Sequence, residues 1–236
     1  MRLNKFLARS GAGSRRNCDE LVFNGRVAVN HENVFEPGMT IDPEKDHVTL
    51  DGVRLYLKKT FTYIKLNKPA GYITSLKDPH YSQTVMDLIP RVLDVRPVGR
   101  LDADTTGVLL LTDDGDLLHR LTHPRHGVEK KYDVRLKWAP NTGEPENELH
   151  HGLTLENGDN VKGEAYPLNS KKTRYLVVLR EGKKREVKRI FRYFGTRVEK
   201  LCRIEFAGIQ VNDLPEGKWK KLTPQEIALL KKTAGI

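Results

Sequence analysis

Hydrophobic and polar positions change their period several times along this chain. Leu3, Phe6 and Leu7 recur at helical spacing and predict a short helix ending near Ser10-Gly11. Ser14 stands as an N-cap for a second helix over 15–23, which Asn24-Gly25 ends. The pattern then turns to alternation at Arg26-Val27-Ala28-Val29-Asn30, and 48–55, turning at Asp51-Gly52, reads as a β-hairpin. Beyond residue 60 come short apolar runs broken by turn residues: strands at 63–66, 108–112, 132–136, 175–179 and 201–206, and helices at 116–121 and 186–193. Thr223-Pro224-Gln225-Glu226 carries a threonine cap, proline in the first turn and glutamate three after the cap, and so opens a last helix ending near Ala234-Gly235. Antiparallel pairing is the simplest connection for such strands. The expected fold is α+β, a small α-then-β module over 1–58 followed by a second domain over 59–236 large enough for its own core. Pro140 to Asn147 and Pro215 to Gly217 are expected to be turns.

Charge changes the picture by where it lies. The chain carries 41 Lys+Arg against 31 Asp+Glu, a net charge of +10, which draws it to polyanions. Thirteen Lys or Arg against three Glu lie between Lys171 and Arg203, a local excess equal to that of the whole chain. Within it Arg185, Lys188, Arg189 and Arg192 share one stripe of a helix and Val187, Ile190, Phe191 and Phe194 another, so one face packs while the other meets phosphates or solvent. The first thirty residues hold six cations and two acids, whereas 31–60 are net acidic, which makes the helical pair the basic side of the first module.

No apolar segment approaches the ~20 residues needed to span a bilayer, and the polar start is unlike a signal peptide. A membrane partner is therefore not expected, and a cytoplasmic protein is. Cys18 and Cys202 are isolated from each other and from histidine at metal-ligand spacing, so they read as free thiols and no metal is expected. His119, His123 and His126 fall in a segment whose leucines mark it as a packing helix.

Five aspartates (102, 104, 113, 114, 116) crowd the start and end of the apolar run 108–112, and a buried unpaired carboxylate is very costly. On spacing alone they form either a solvated acidic turn or a catalytic loop. The words of the loop, Gly99-Arg100-Leu101-Asp102-Ala103-Asp104-Thr105-Thr106-Gly107 and onward to Gly115, closely resemble the catalytic segment of the RsuA/RluB-like ribosomal RNA pseudouridine synthases. The resemblance extends to Lys65-Leu66-Asn67-Lys68-Pro69-Ala70-Gly71, to Glu129-Lys130-Lys131-Tyr132, and to the segment from Arg180 to Arg189. Residues 3–30 resemble the small RNA-binding domain first known from ribosomal protein S-four.

That resemblance implies a catalytic domain built on a mainly antiparallel mixed sheet around a central cleft. It implies isomerisation of uridine to pseudouridine in rRNA, with the large subunit favoured by Gly217 to Thr223 and by the basic segment. The reaction needs no cofactor. Asp102 would be the catalytic carboxylate, Lys188 the cation that pairs with it, and Tyr132 a ring to stack on the extruded uracil with a hydroxyl placed to take a proton. Lys188 has phosphate contact as its alternative, and Tyr132 a plain core position. Arg100 would hold the base out of its stack, a salt bridge to Asp104 being the alternative. Further RNA contacts are expected from Arg2, Lys5, Arg9, Arg15 and Arg16 in the first module, and from Lys130, Lys183, Arg185 and Arg189 in the second. Lys65 and Lys68 either line the cleft or face solvent. The partner would be rRNA or a ribosome assembly intermediate, met by a monomer. The competing reading is an inactive rRNA-binding or assembly protein. A methyltransferase would need a strand, a Gly-rich loop and a helix for its cofactor, and no such pattern occurs.

Overall fold

The computed structural model describes residues 1–76 and 83–236. The chain separates into two compact units, Met1–Phe61 and Thr62–Ile236.

In the first unit, α1 (Leu3–Arg9) and α2 (Arg15–Phe23) precede β1 (Val27–Val29), β2 (Glu32–Asn33), β3 (Val48–Leu50) and β4 (Val53–Arg54), the strands pairing in the order β2-β1-β3-β4. The Ser14 hydroxyl caps α2 by accepting from the Asn17 N–H, satisfying one of the helix's orphan donors. Leu3, Phe6 and Leu7 of α1 pack with Cys18 and Val22 of α2 and with Val27 and Val48 of the sheet. That core leaves the polar flank outside, so Arg2, Arg15 and Arg16 are exposed.

The second unit is built on a mixed sheet from β5 (Tyr63–Lys68), β6 (Arg96–Pro97), β7 (Thr106–Thr112), β8 (Lys130–Leu136), β11 (Gly163–Pro167), β12 (Arg174–Leu179), β13 (Val198–Phe206), β14 (Ile209–Gln210) and β15 (Trp219–Lys221). Its main path runs β11-β12-β8-β13-β7-β5-β15. Helices α3 (Gly115–Thr122), α5 (Glu186–Tyr193) and α6 (Pro224–Ala234) accompany it, as do the short α4 (Pro145–His151) and a small β9–β10 hairpin (Leu153–Thr154 with Asn160–Val161). Six of the seven residues of β7 are buried, because it lies between β5 and β13.

The one departure from antiparallel order among these neighbours is β7 with β13, which run parallel for only two residue pairs, Cys202 with Thr106 and Arg203 with Gly107. At that contact the strands come so close that a Cβ on Gly107 would sit 2.2 Å from the Arg203 carbonyl oxygen, and Gly107 has φ 99. Glycine is required there on both counts. The turn expected over Pro140 to Asn147 instead contains the start of α4, whose first helical position is Pro145. Proline is pre-organised for that position, so the same residue that signals a turn also opens a helix. Neither cysteine forms a disulfide; Cys18 is buried and Cys202 half-buried. Among the described residues no helix is long and apolar enough to cross a membrane.

Candidate active site

Sheet register assembles the site. Residues paired across neighbouring strands present their side chains on the same face. Reading across the sheet, Tyr132 of β8 is paired with Arg203 of β13, Arg203 with Gly107 of β7, and Gly107 with Lys68 of β5. One row therefore carries a phenol, a guanidinium, a gap and an ammonium, just where the loop bearing Asp102 and Asp104 enters β7.

Lys68 is fully buried. Its Nζ donates to the carbonyls of Pro69 (3.0 Å), Ala103 (3.1 Å) and Thr105 (2.9 Å), using all three protons. The loop is clamped at two further points, since Gly71 N–H donates to the Ala103 carbonyl, and the Thr74 hydroxyl donates to the Leu101 carbonyl while accepting from the Leu101 N–H. Burial pulls the Lys68 pKa down to about 8, against the attraction of Asp104 and Asp102. Lys65, three residues earlier, points to the other face and pairs with Glu226 of α6 at 3.0 Å and Asp213 at 3.4 Å. Neither lysine is the solvated or cleft-lining cation that the sequence suggested.

Four of the five aspartates divide by role. Asp113 accepts from the Thr62 N–H, and Asp114, buried, caps α3 and accepts from the Tyr63 hydroxyl at 2.9 Å. These two hold structure. Asp102 and Asp104 instead meet Lys188, which projects from α5, 84 residues beyond Asp104. Its ammonium lies 3.3 Å from Asp102 Oδ2 and 2.5 Å from Asp104 Oδ1, bridging the two carboxylates. Burial raises the Asp104 pKa, but the hydrogen bond and charge of Lys188, aided by Arg185, more than offset this and hold it below the usual carboxylate value. The salt-bridge alternative for Asp104 is thus taken by Lys188, while Arg100 is exposed.

Tyr132 is 8 % exposed. Burial pushes its phenol above the ordinary tyrosine value, and the Arg203 guanidinium opposes that by charge and hydrogen bonding. Arg203 donates from Nε to the Val108 carbonyl at 2.8 Å and lies 4.6 Å from the centre of the Phe206 ring. Sequence reasoning missed Arg203 and left Lys68 unassigned. Each had one signal, a cation on the buried phase of an alternating strand: Ile64, Leu66, Lys68 in one case and Leu201, Arg203 in the other.

Of the cations expected to meet RNA in this unit, Arg185 is exposed and enters α5 with a left-handed backbone, φ 52. Lys130 donates to the Val128 carbonyl at 2.8 Å and sits over Phe206, and burial lowers its pKa to about 8. Lys183 pairs with Glu181 at 2.8 Å, and Arg189 with Asp159 at 2.5 Å. Glu186 is buried at the start of α5, accepting from the Lys183 N–H at 3.0 Å. No group of three or more His, Cys, Asp or Glu among the described residues could hold a metal ion.

The unit thus holds a carboxylate paired with an ammonium, and a buried tyrosine that feels the carboxylate's charge, parts suited to covalent or proton-transfer chemistry. Comparison with known proteins gives the same direction. A family profile described as RNA pseudouridylate synthase matches residues 62–193, and one described as S4 domain matches residues 1–48. An uncharacterised RNA pseudouridine synthase of Aquifex aeolicus is 38 % identical over all of this chain and 96 % of its own length. Ribosomal large subunit pseudouridine synthase B of Bacillus subtilis is 34 % identical, covering 99 % and 96 %. Ribosomal small subunit pseudouridine synthase A of Escherichia coli is 36 % identical, covering 97 % and 99 %. A pseudouridylate synthase crystal structure superposes with a TM-score of 0.70 at 30 % identity, over 98 % of this chain and 99 % of that one. With full-length relatives at this identity and a catalytic-domain match that takes in Asp102, Tyr132 and Lys188, the chain belongs to the RNA pseudouridine synthase family, with an S4 domain at its N-terminus.

Proposed function

We propose that this protein isomerises a specific uridine of ribosomal RNA, with Asp102 as the catalytic carboxylate, Lys188 as its counter-ion and Tyr132 as the group that stacks on the base and accepts its proton. The observation that carries the proposal is the Lys188 ammonium 3.3 Å from Asp102, whose charge is felt at Tyr132. A carboxylate enclosed with RNA would be driven toward its neutral acid, and a fixed cation keeps it ionised.

The isomerisation breaks the bond from N1 of uracil to C1′ of ribose, turns the base, joins C5 to C1′ and moves a hydrogen from C5 to N1. A stacked uridine exposes neither C1′ nor C5 to an enclosed carboxylate, so the nucleotide must be flipped out. Arg100, exposed two residues before Asp102, would occupy the emptied stack or grip the flanking phosphate. Arg2, Lys5, Arg9, Arg15 and Arg16 supply phosphate contacts that fix the RNA without reading its sequence. Lys130, Lys183, Arg185 and Arg189 contribute further positive potential around the catalytic unit.

The relatives named above include both a large-subunit and a small-subunit enzyme. We assign the large subunit to this chain, on the exposed Lys218, Lys220 and Lys221 at the edge strand β15 and the basic stretch around α5. This reading places the protein in the cytoplasm with its substrate. Mapping of pseudouridines in rRNA from cells lacking the protein tests it. One site missing from large-subunit rRNA is the expected result; a missing small-subunit site reverses the subunit assignment, and an unchanged map contradicts the activity and favours an rRNA-binding role.

A further inference from the structure

Arg203 is a costly residue for a sheet to keep. It is 2 % exposed, and its Nη2 is buried without a hydrogen-bond partner. The influences on its charge are burial, which disfavours it, and Tyr132, which favours it by charge and hydrogen bonding. A buried guanidinium stays protonated and, without a carboxylate, is expensive to desolvate. Packing against Phe206 needs only its apolar and planar parts, and methionine, of similar length, supplies most of that volume. Neither Phe206 nor the Val108 carbonyl calls for a full positive charge. The polar side chain paired with it across the sheet is Tyr132, its register partner on β8.

We infer that Arg203 is a positioning residue for Tyr132, orienting its hydroxyl and stabilising its phenolate in the step that removes hydrogen from C5. The inference rests on the proposed role of Tyr132 as acceptor of that proton. Once C5 is joined to C1′, it carries both the new carbon and its original hydrogen. Tyr132, having given its own proton to solvent, takes the C5 proton as a phenolate. The C5–H electron pair restores the C5–C6 double bond, the N1–C6 π pair moves onto N1, and N1 takes a proton from solvent. One proton leaves the base and one is returned, so the product is an isomer. A guanidinium beside the oxygen lowers the free energy of the phenolate, which burial alone would raise. Lys68, buried, and Lys130, half-buried, are engaged by backbone carbonyls.

The test uses large- and small-subunit rRNA transcripts labelled with tritium or deuterium at C5 of uridine, with wild type, Arg203→Met, Arg203→Lys, Tyr132→Phe and the Tyr132→Phe/Arg203→Met pair. Arg203→Met is expected to slow tritium release about 10²-fold and to raise the deuterium isotope effect, because loss of the C5 hydrogen becomes the slow step. Its melting temperature should be unchanged or higher, since an unpaired buried charge has been removed. Arg203→Lys should recover most of the rate, and the double variant should be no slower than Tyr132→Phe alone. Release within twofold of wild type from Arg203→Met overturns the inference, as does slower release with a lowered melting temperature and an unchanged isotope effect, which is the signature of packing alone. Should the methionine variant not fold, Arg203→Lys decides: an isotope effect above wild type supports the inference and an unchanged one overturns it. Wild-type release from Tyr132→Phe would remove the underlying role of Tyr132, a failure visible in that variant by itself.

Discussion

The two units use the same cationic side chains in opposite ways. In the N-terminal unit the core is apolar, and Arg2, Arg15 and Arg16 stand outside it, exposed. In the catalytic unit the decisive cations lie inside: Lys68 and Arg203 are buried, and Lys188 is held between two carboxylates. Net charge therefore measures attraction to a polyanion, while burial separates cations open to a polyanion from cations that act on their own protein neighbours. An exposed cation acts through counterion release and is felt in the salt dependence of binding. A buried one acts on its neighbours' protonation and geometry, and is felt in rate and stability.

The largest break in this contrast should come at Lys188. Lys188→Met leaves Asp102 and Asp104 beside each other without their shared counter-ion, and conversion should fall about 10²- to 10³-fold, with RNA affinity within a few-fold of wild type. Single-turnover conversion beside a filter-binding titration measures both. An equal loss of affinity and rate would make Lys188 a phosphate contact instead.

Lys68 comes next. Lys68→Met removes a donor from the Pro69, Ala103 and Thr105 carbonyls, the last of them buried, and unfolding in urea should show a loss of about 2–4 kcal/mol. In the native protein Lys68 has its pKa lowered to about 8 from 10.5. Its linkage contribution to stability is thus present above 10.5 and lost as pH falls through about 8, because the folded state resists the charged form. Activity should move the other way, falling above pH 8 as the ammonium loses a proton needed by the Asp102 loop. A pH–rate profile checks this: the limb should move in Lys68→Arg and persist in Lys130→Arg, whose residue titrates in the same range.

Smaller effects follow at the surface. Replacing Arg2, Arg15 and Arg16 together by alanine should leave turnover at saturating RNA intact and make the slope of log affinity against log salt shallower by about 2 to 3. An unchanged slope would remove the N-terminal helices from the RNA contact. Lys65→Met, which frees α6 from the sheet, should leave that slope alone and cost about 1–2 kcal/mol of stability.

Elements with local causes were readable in the sequence: the Ser14 cap, the Asp51-Gly52 hairpin turn, the apolar β7 and the Thr223 capping box are settled within a few residues of themselves. The short pieces from α4 to β11 were not, since each depends on partners elsewhere. The same distinction governs the site. Asp102 and Lys188 are far apart in sequence, and only resemblance to a family drew attention to both. Their approach requires α5 to dock near the mouth of β7. Lys68 and Arg203 look like ordinary basic residues until sheet register puts them in one row, on either side of Gly107. A parallel contact two pairs long has no signature in the periodicity of either strand.

The central claim is that Asp102 carries the chemistry while the remaining constellation holds and tunes it. Asp102→Asn keeps the size and hydrogen-bonding shape of the side chain and removes its ionisable oxygen. Tritium released from C5 of uridine in rRNA transcripts is the direct measurement, with Asp104→Asn run beside it as the control for a general disturbance of the loop. Asp102→Asn should give no detectable release while binding RNA within a few-fold of wild type, and Asp104→Asn should still release measurably. Wild-type release from Asp102→Asn would contradict that claim.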